Sequence, residues 1–199
     1  MKSSLNIFLA TLASTAFAAN AHAASLLNTG TPDDSGMPIS LDATDYAASK
    51  FHIDGNYTIS DIAGYLIGGN SGDTFTVALY QDNNGHVGAQ LQSAQATFSS
   101  DGWNGVSALN WHAGTGDYWV AFEVGGDDSL SNFNLLLPLT APNHAAATAF
   151  NDGSGYHNFA GFDYGVQVNG VAAVPVPAAA WLFASGIGGV IGLRKRRKV

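Results

Sequence analysis

The protein of 199 residues contains no cysteine. That removes disulfides, thiolate metal sites and a cysteine nucleophile together, so a folded domain must rely on its hydrophobic core. Cations are nearly as scarce where they would matter. Of the seven lysines and arginines, Lys2 opens the sequence, five lie between Arg194 and Lys198, and only Lys50 stands between. All 15 acidic residues fall between Asp33 and Asp163. The stretch 24–173 therefore sets one cation against fifteen carboxylates, a net charge of −14 with histidine neutral. Such a surface repels phosphate backbones and excludes nucleic acid as a partner. It also favours solubility and repulsion between copies. No stretch in the middle keeps a helical period, which turns the reading toward β structure.

What is present at the two ends is targeting chemistry. Lys2 supplies a positive n-region, Leu5 to Ala19 an apolar run, and Ala21-His22-Ala23 a small-x-small cleavage site. Together they read as a secretory signal peptide over 1–23, with Ala24 as the mature N-terminus. A retained N-terminal anchor is the alternative; the shortness of the apolar run and its cleavage motif argue against it.

The last 26 residues fall into three blocks without spacers. In Val174-Pro175-Val176-Pro177 the two prolines fix φ and lack an N–H, so the segment should be extended and unable to start a helix before Ala178. The uncharged run 178–193 would be about 24 Å long as a helix at 1.5 Å per residue, short of a hydrocarbon core of about 30 Å. Thinning of the bilayer or snorkelling of its basic flank can cover the difference. Arg194, Lys195, Arg196, Arg197 and Lys198 then form a cytoplasmic basic stop, which puts the C-terminus on the cytoplasmic side. Read by itself, this is also what an ordinary single-span anchor looks like.

The order of these blocks carries a resemblance. Val174 to Phe183, followed by Gly186, Gly188, Gly189, Gly192 and the Arg194–Arg197 cluster, resembles the PEP-CTERM sorting signal of Gram-negative bacteria. It is similar to the variant with Val-Pro-Leu-Pro, although Val176 stands where that family has Leu or Glu. The resemblance implies recognition by an exosortase, a membrane cysteine protease-transpeptidase. It also implies an inner-membrane intermediate, delivery to the envelope, surface or extracellular matrix, and association with exopolysaccharide of the biofilm matrix. It covers only residues 174–199.

Between the ends, 150 residues suit one domain. Residues 24–44 read as an irregular lead-in with room for a strand at its end. Strands are predicted over 46–54, 57–67, 74–80, 90–98, 106–111, 118–124, 133–139, 146–150 and 159–168. The clearest are 74–80, where Phe75, Val77 and Leu79 share one face, and 118–124, where Tyr118, Val120, Phe122 and Val124 do. Asp82-Asn83-Asn84-Gly85 reads as a hairpin turn. Short strands separated by Gly, Asn and Asp point to an all-β, antiparallel sandwich or barrel. The run Phe75 to Asp82 with Gly85 and Gly88, then Gly116 to Phe122, resembles the choice-of-anchor surface domains. That likeness implies a β-sandwich or jelly-roll ectodomain with a surface role and no particular chemistry.

Candidate sites are few. His52, His86, His112, His144 and His157 lack metal-ligand spacing and read as surface residues, so no metal or cofactor is expected. Glu123, the sole glutamate, has no evident partner carboxylate, which a glycosidase would require. No nucleophile elbow or phosphate-binding loop occurs, and no catalytic residue is assigned. Calcium at the acidic loops stays open. Of Trp103, Trp111 and Trp119, the last reads as core, and Trp103, between Gly102 and Asn104, is the candidate glycan contact.

The sequence thus describes an exported, non-enzymatic β-sandwich protein sorted through its C-terminus, with a carbohydrate-binding module as the alternative. Exported protein should begin at Ala24 by intact mass. Material that retains residues 1–23 would contradict the cleavage assignment.

Overall fold

The computed structural model describes residues 23–33, 37–131 and 135–173, and the compact unit they build runs from His22 to Ala172. Every described element is a β-strand, and every pairing is antiparallel. One sheet runs in the order β1 (Ala23–Asn28), β13 (Val166–Ala172), β4 (Tyr57–Leu66) and β7 (Gly102–Val106), with β8 (Trp111–Ala113) also paired to β4. The second runs β12 (Tyr156–Asn158), β11 (Ala147–Asp152), β3 (Asp45–Ile53), β9 (Gly116–Glu123), β5 (Thr74–Asn83) and β6 (His86–Thr97). A short pair, β2 (Ile39–Leu41) with β10 (Leu135–Leu137), forms a third.

The alternation read from the sequence places the core. Phe75, Val77 and Leu79 of β5 and Tyr118, Val120 and Phe122 of β9 meet Ile59, Ile62 and Leu66 of β4 and Val166 and Val168 of β13. These residues join the two large sheets into a β-sandwich, and this core comes wholly from within the unit His22–Ala172. Gly64 of β4 is required by this packing: a Cβ there would lie 2.8 Å from the Phe122 ring.

Several strand boundaries differ from the sequence reading, each for a physical reason. The lead-in contains a strand at its start: β1 pairs with β13, Ala23 opposite Val171, a partner distant in sequence that no local pattern announces. The segment expected as a strand over 106–111 is instead the connection between β7 and β8, only Val106 and Trp111 being strand residues, and both strands pair with β4. The last strand begins at Val166, since Phe159 and Phe162 instead build an aromatic cluster with Phe150, stacked 4.4 Å apart in the first pair.

A second buried cluster lies on the opposite face of the six-stranded sheet: Ala48, Ala78, Trp119, Ala121 and Ala149. Register explains it. Ala149 faces Ala48, Ala48 faces Ala121, and Ala121 faces Ala78, so four alanines form one row across β11, β3, β9 and β5. In a flat sheet β12 and β5 would lie four strand spacings, about 19 Å, apart. Yet the Tyr80 and Tyr156 rings are 5.7 Å apart, and the Asn158 side-chain amide donates to the Gly85 carbonyl at 2.8 Å. The sheet is therefore strongly curled, and the methyl groups on the inside of the curl are what allows it.

Replacing Ala121 by leucine should force the curl open and lower stability by about 1–3 kcal/mol, read by urea denaturation. An unchanged midpoint would show that the alanine row is not tightly packed.

Candidate functional site

The inside of the curl carries the most concentrated polar chemistry of the described residues. Lys50 on β3 and Trp119 on β9 are directly opposed, as are Trp119 and Tyr80 on β5, one row from the alanines. His52 and Asp117 are opposed one row further out. Lys50, the sole lysine or arginine between the targeting ends, reaches the adjacent strand β9 and, beyond it, β5: its Nζ is 2.9 Å from Asp117 Oδ2 and 3.0 Å from Asp82 Oδ1. The Trp119 indole N–H donates to Asp82 Oδ1 at 2.8 Å, and the Gly85 N–H donates to Asp82 Oδ2 at 2.9 Å. His52 Nδ1 lies 2.6 Å from Asp117 Oδ1.

Asp82 gains this position from its turn. Asn84 and Gly85 have φ of 54° and 86°, the left-handed pair that closes a two-residue hairpin, so β5 runs to Asn83 and β6 starts at His86. The hairpin reading of 82–85 therefore holds, and Asp82 has a further task beyond it.

The electrostatics follow from the contacts. Burial pushes the Asp82 carboxyl up, but donation from Gly85, Lys50 and Trp119 outweighs it and holds the group below the ordinary aspartate range. Hydrogen bonds from His52 and then Lys50 lower Asp117. The hydrogen bond to Asp117 raises Lys50; burial opposes this, and Asp82 adds to it. All three groups are thus charged over a wide pH range.

Beside this network is an open cleft of about 600 Å³, with His52, Gln81, Asp82, Leu91, Thr115 and Asp117 among its lining residues. It offers amide, hydroxyl, imidazole and carboxylate groups to a polar ligand. On the other side of the alanine row, Glu123 Oε1 accepts hydrogen bonds from the Tyr80 and Tyr156 hydroxyls at 2.6 and 2.5 Å. Burial, then Glu123, pushes both phenols well above the usual tyrosine range. Glu123 thus acts as an acceptor that fastens β12 across the curl.

Trp103 lies on the outward face of the other sheet, half-buried, its ring edge-to-face with Tyr65 at 5.6 Å and 83°. It is brought together with none of the Lys50 network. Asn104 beside it is buried and bonded to Ser99, Ser100 and Gly102, which fixes the corner that presents Trp103. Trp111 joins the sandwich core, and Trp119 is fully buried on the curled face. The five histidines of the domain are all at the surface, four of them on strands. Ala23 and Ala24 lie on β1. Ala21, the motif Val174, Pro175, Val176 and Pro177, the apolar run 178–193 and the basic stop 194–198 lie outside the described residues. No helix among the described residues is long and apolar enough to cross a membrane, and none of their side chains form a group of three metal-ligating residues.

Reading by sequence missed the Lys50 network. The available signals were that Lys50 is the domain's lone cation and that Lys50 and His52, like Asp117 and Trp119, alternate away from the core positions. What was lacking was the pairing of β3 with β9.

No protein-family model and no curated protein matches the sequence. Among solved structures it is similar to the cysteine protease and lectin-like domains of Cwp84, a surface layer associated protein of Clostridium difficile. The identity is 14%, the TM-score 0.43, and the match covers 71% of this protein and 37% of that one.

Lys50→Met would strand Asp82, whose side chain is only 14% exposed, and should cost roughly 2–4 kcal/mol by chemical denaturation near neutral pH. The parent's contribution has a defined pH window. Asp82 and Asp117 are lowered in the fold, so their share is present above the unfolded aspartate value of about 3.9 and lost as pH falls through the folded values. Lys50 is raised, so its share is complete below about 10.4 and lost as pH rises through its folded value. The gap between parent and variant should therefore be widest between these limits; a gap independent of pH would contradict an ionic origin.

Proposed function

We propose that this protein is an exported envelope or matrix protein of a Gram-negative bacterium, sorted by an exosortase-type enzyme through residues 174–199. Its β-sandwich, of the jelly-roll, choice-of-anchor kind, serves a non-catalytic surface role beside exopolysaccharide. The observation that carries the reading is the order of the C-terminal blocks: a Pro-x-Pro motif, a short Gly-rich apolar run, then five consecutive cations.

The fold is compatible with processing at that point. The last strand ends at Ala172 and the motif starts at Val174, so cleavage at the motif spares every described strand. Because β1 and β13 pair antiparallel, Ala23 lies opposite Val171, so the first and last described strands bring their outer ends side by side.

A second reading is a carbohydrate-binding module. Trp103, half-buried against Tyr65 on an outward sheet face, favours it, since an aromatic ring held in place can stack on a sugar. Binding of the purified 24–173 domain to the cell's own polysaccharide, lost in Trp103→Ala, would favour this module.

The sorting reading makes a demand that an ordinary anchor does not. Membrane insertion depends on apolar length and flanking charge, so a Pro175→Ala/Pro177→Ala variant should still insert. Its maturation should stop, seen as retention of the C-terminal mass in cells that make the sorting enzyme. Normal trimming and release of the double variant would leave the simple anchor as the better account.

A further inference from the structure

Three large apolar side chains are exposed among the described residues: Met37, Leu91 and Phe159. A single exposed apolar side chain is ordinary at a protein surface. Phe159, 53% exposed, differs in how firmly it is held. Its N–H donates to the Thr148 carbonyl at 2.9 Å, and its own carbonyl accepts from the Thr148 hydroxyl at 2.5 Å. The chain then turns through Ala160 and Gly161, where a φ of 89° suits glycine, and so returns Phe162 to Phe159. The two rings stack 4.4 Å apart, and Phe162 meets Phe150 edge-to-face at 5.4 Å and 85°. The exposed ring therefore stands on a braced base, with little freedom left to lose on binding.

Phe159 also lines an open cleft of about 600 Å³ at the β11–β12 end of the six-stranded sheet. Ala145, Ala146 and Ala147 line it too, and none carries more than a methyl group to fill it. Its polar members include His144, Asn158 and Asp163. His144 Nδ1 lies 2.8 Å from Asp163 Oδ1, and the Asn158 amide is fixed on the Gly85 carbonyl at 2.8 Å. A largely apolar cleft with a few placed polar groups is the form a small-ligand site takes.

We propose that this cleft binds a neutral sugar unit of a polysaccharide, whose C–H face stacks on Phe159 while its hydroxyls bond to Asp163, His144 and Asn158. The proposal rests on the carbohydrate-binding reading above for its ligand class and gives that reading a site away from Trp103. The cleft's chemistry selects the occupant. An aromatic ring beside hydrogen-bonding groups matches a molecule that is apolar on one face and polar at its edge, as a pyranose is. A wholly apolar ligand would strip water from the His144–Asp163 pair and return no hydrogen bonds. An anionic sugar would face Asp163 and a domain whose one lysine, Lys50, is already held by two aspartates.

Calorimetric titration of the full-length protein with neutral pentasaccharides of glucose, mannose and galactose should detect one site for at least one of them. Pentagalacturonate should bind at least about tenfold more weakly. Methyl NMR should place the neutral ligand at Ala145–Ala147. Phe159→Ala and Phe159→Leu should each weaken binding at least about tenfold, since leucine keeps apolar bulk but lacks the ring face. Both should leave methyl signals away from the cleft unchanged, the side chain being more than half exposed. Phe159→Trp should retain binding, and Trp103→Ala should not alter it. Binding lost in Trp103→Ala but not in Phe159→Ala would overturn this site and leave the carbohydrate-binding reading on Trp103. Binding unchanged in Phe159→Leu, or pentagalacturonate bound as tightly as the neutral sugars, would also overturn it. No binding of any neutral pentasaccharide would overturn the site and that reading together.

Discussion

Strand β9 is buried on both faces, and the architecture depends on that constraint. Tyr118, Val120 and Phe122 fill the sandwich core, while Trp119 and Ala121 are fully covered on the other side. A strand in a two-layer sandwich ordinarily shows one face to solvent. Here the curl of the six-stranded sheet brings β12 over the alanine row and supplies the missing cover. The curl in turn needs small side chains at its centre and polar anchors at its rims, and the sequence provides both: alanines at 48, 78, 121 and 149, Glu123 beneath two phenols on one flank, and Lys50 between two aspartates on the other.

Charge shapes what such a domain can do. With one cation among fifteen carboxylates, electrostatics across most of the surface are repulsive toward copies of itself and toward acidic polymers. The single lysine is spent on an internal brace, and no lysine or arginine of the domain is left to hold an anionic ligand. A neutral, hydroxyl-rich partner is the chemistry that both the cleft beside Asp117 and the outward ring of Trp103 can meet. The two lie on different sheets.

The sandwich was legible where burial is local in sequence. The β5 and β9 alternations name their core faces without help, and Asn84-Gly85 names the hairpin that joins β5 to β6. Legibility failed where the cause is distant. β1 is made by β13, from the far end of the domain, and Phe159 and Phe162 look like strand residues until Phe150 is seen beside them. The same alternation that places Val120 inside would send Ala121 to solvent; only the curl, a property of six strands together, buries it. The Lys50 network is hidden for the same reason, since Lys50 and Asp117 are 67 positions apart, Lys50 and Trp119 69, and all meet only through the β3–β9–β5 register.

The proposed function divides labour between an acidic sandwich and a C-terminal segment, 174–199, that would direct its sorting. The last described strand ends at Ala172, before the motif at Val174. The most direct measurement is the intact mass of the surface-recovered protein from a host carrying its exosortase-type enzyme and from the same host with that enzyme deleted. Sorting through residues 174–199 predicts a species lacking the basic C-terminal end in the first and retaining it in the second. The same mass in both hosts would contradict it.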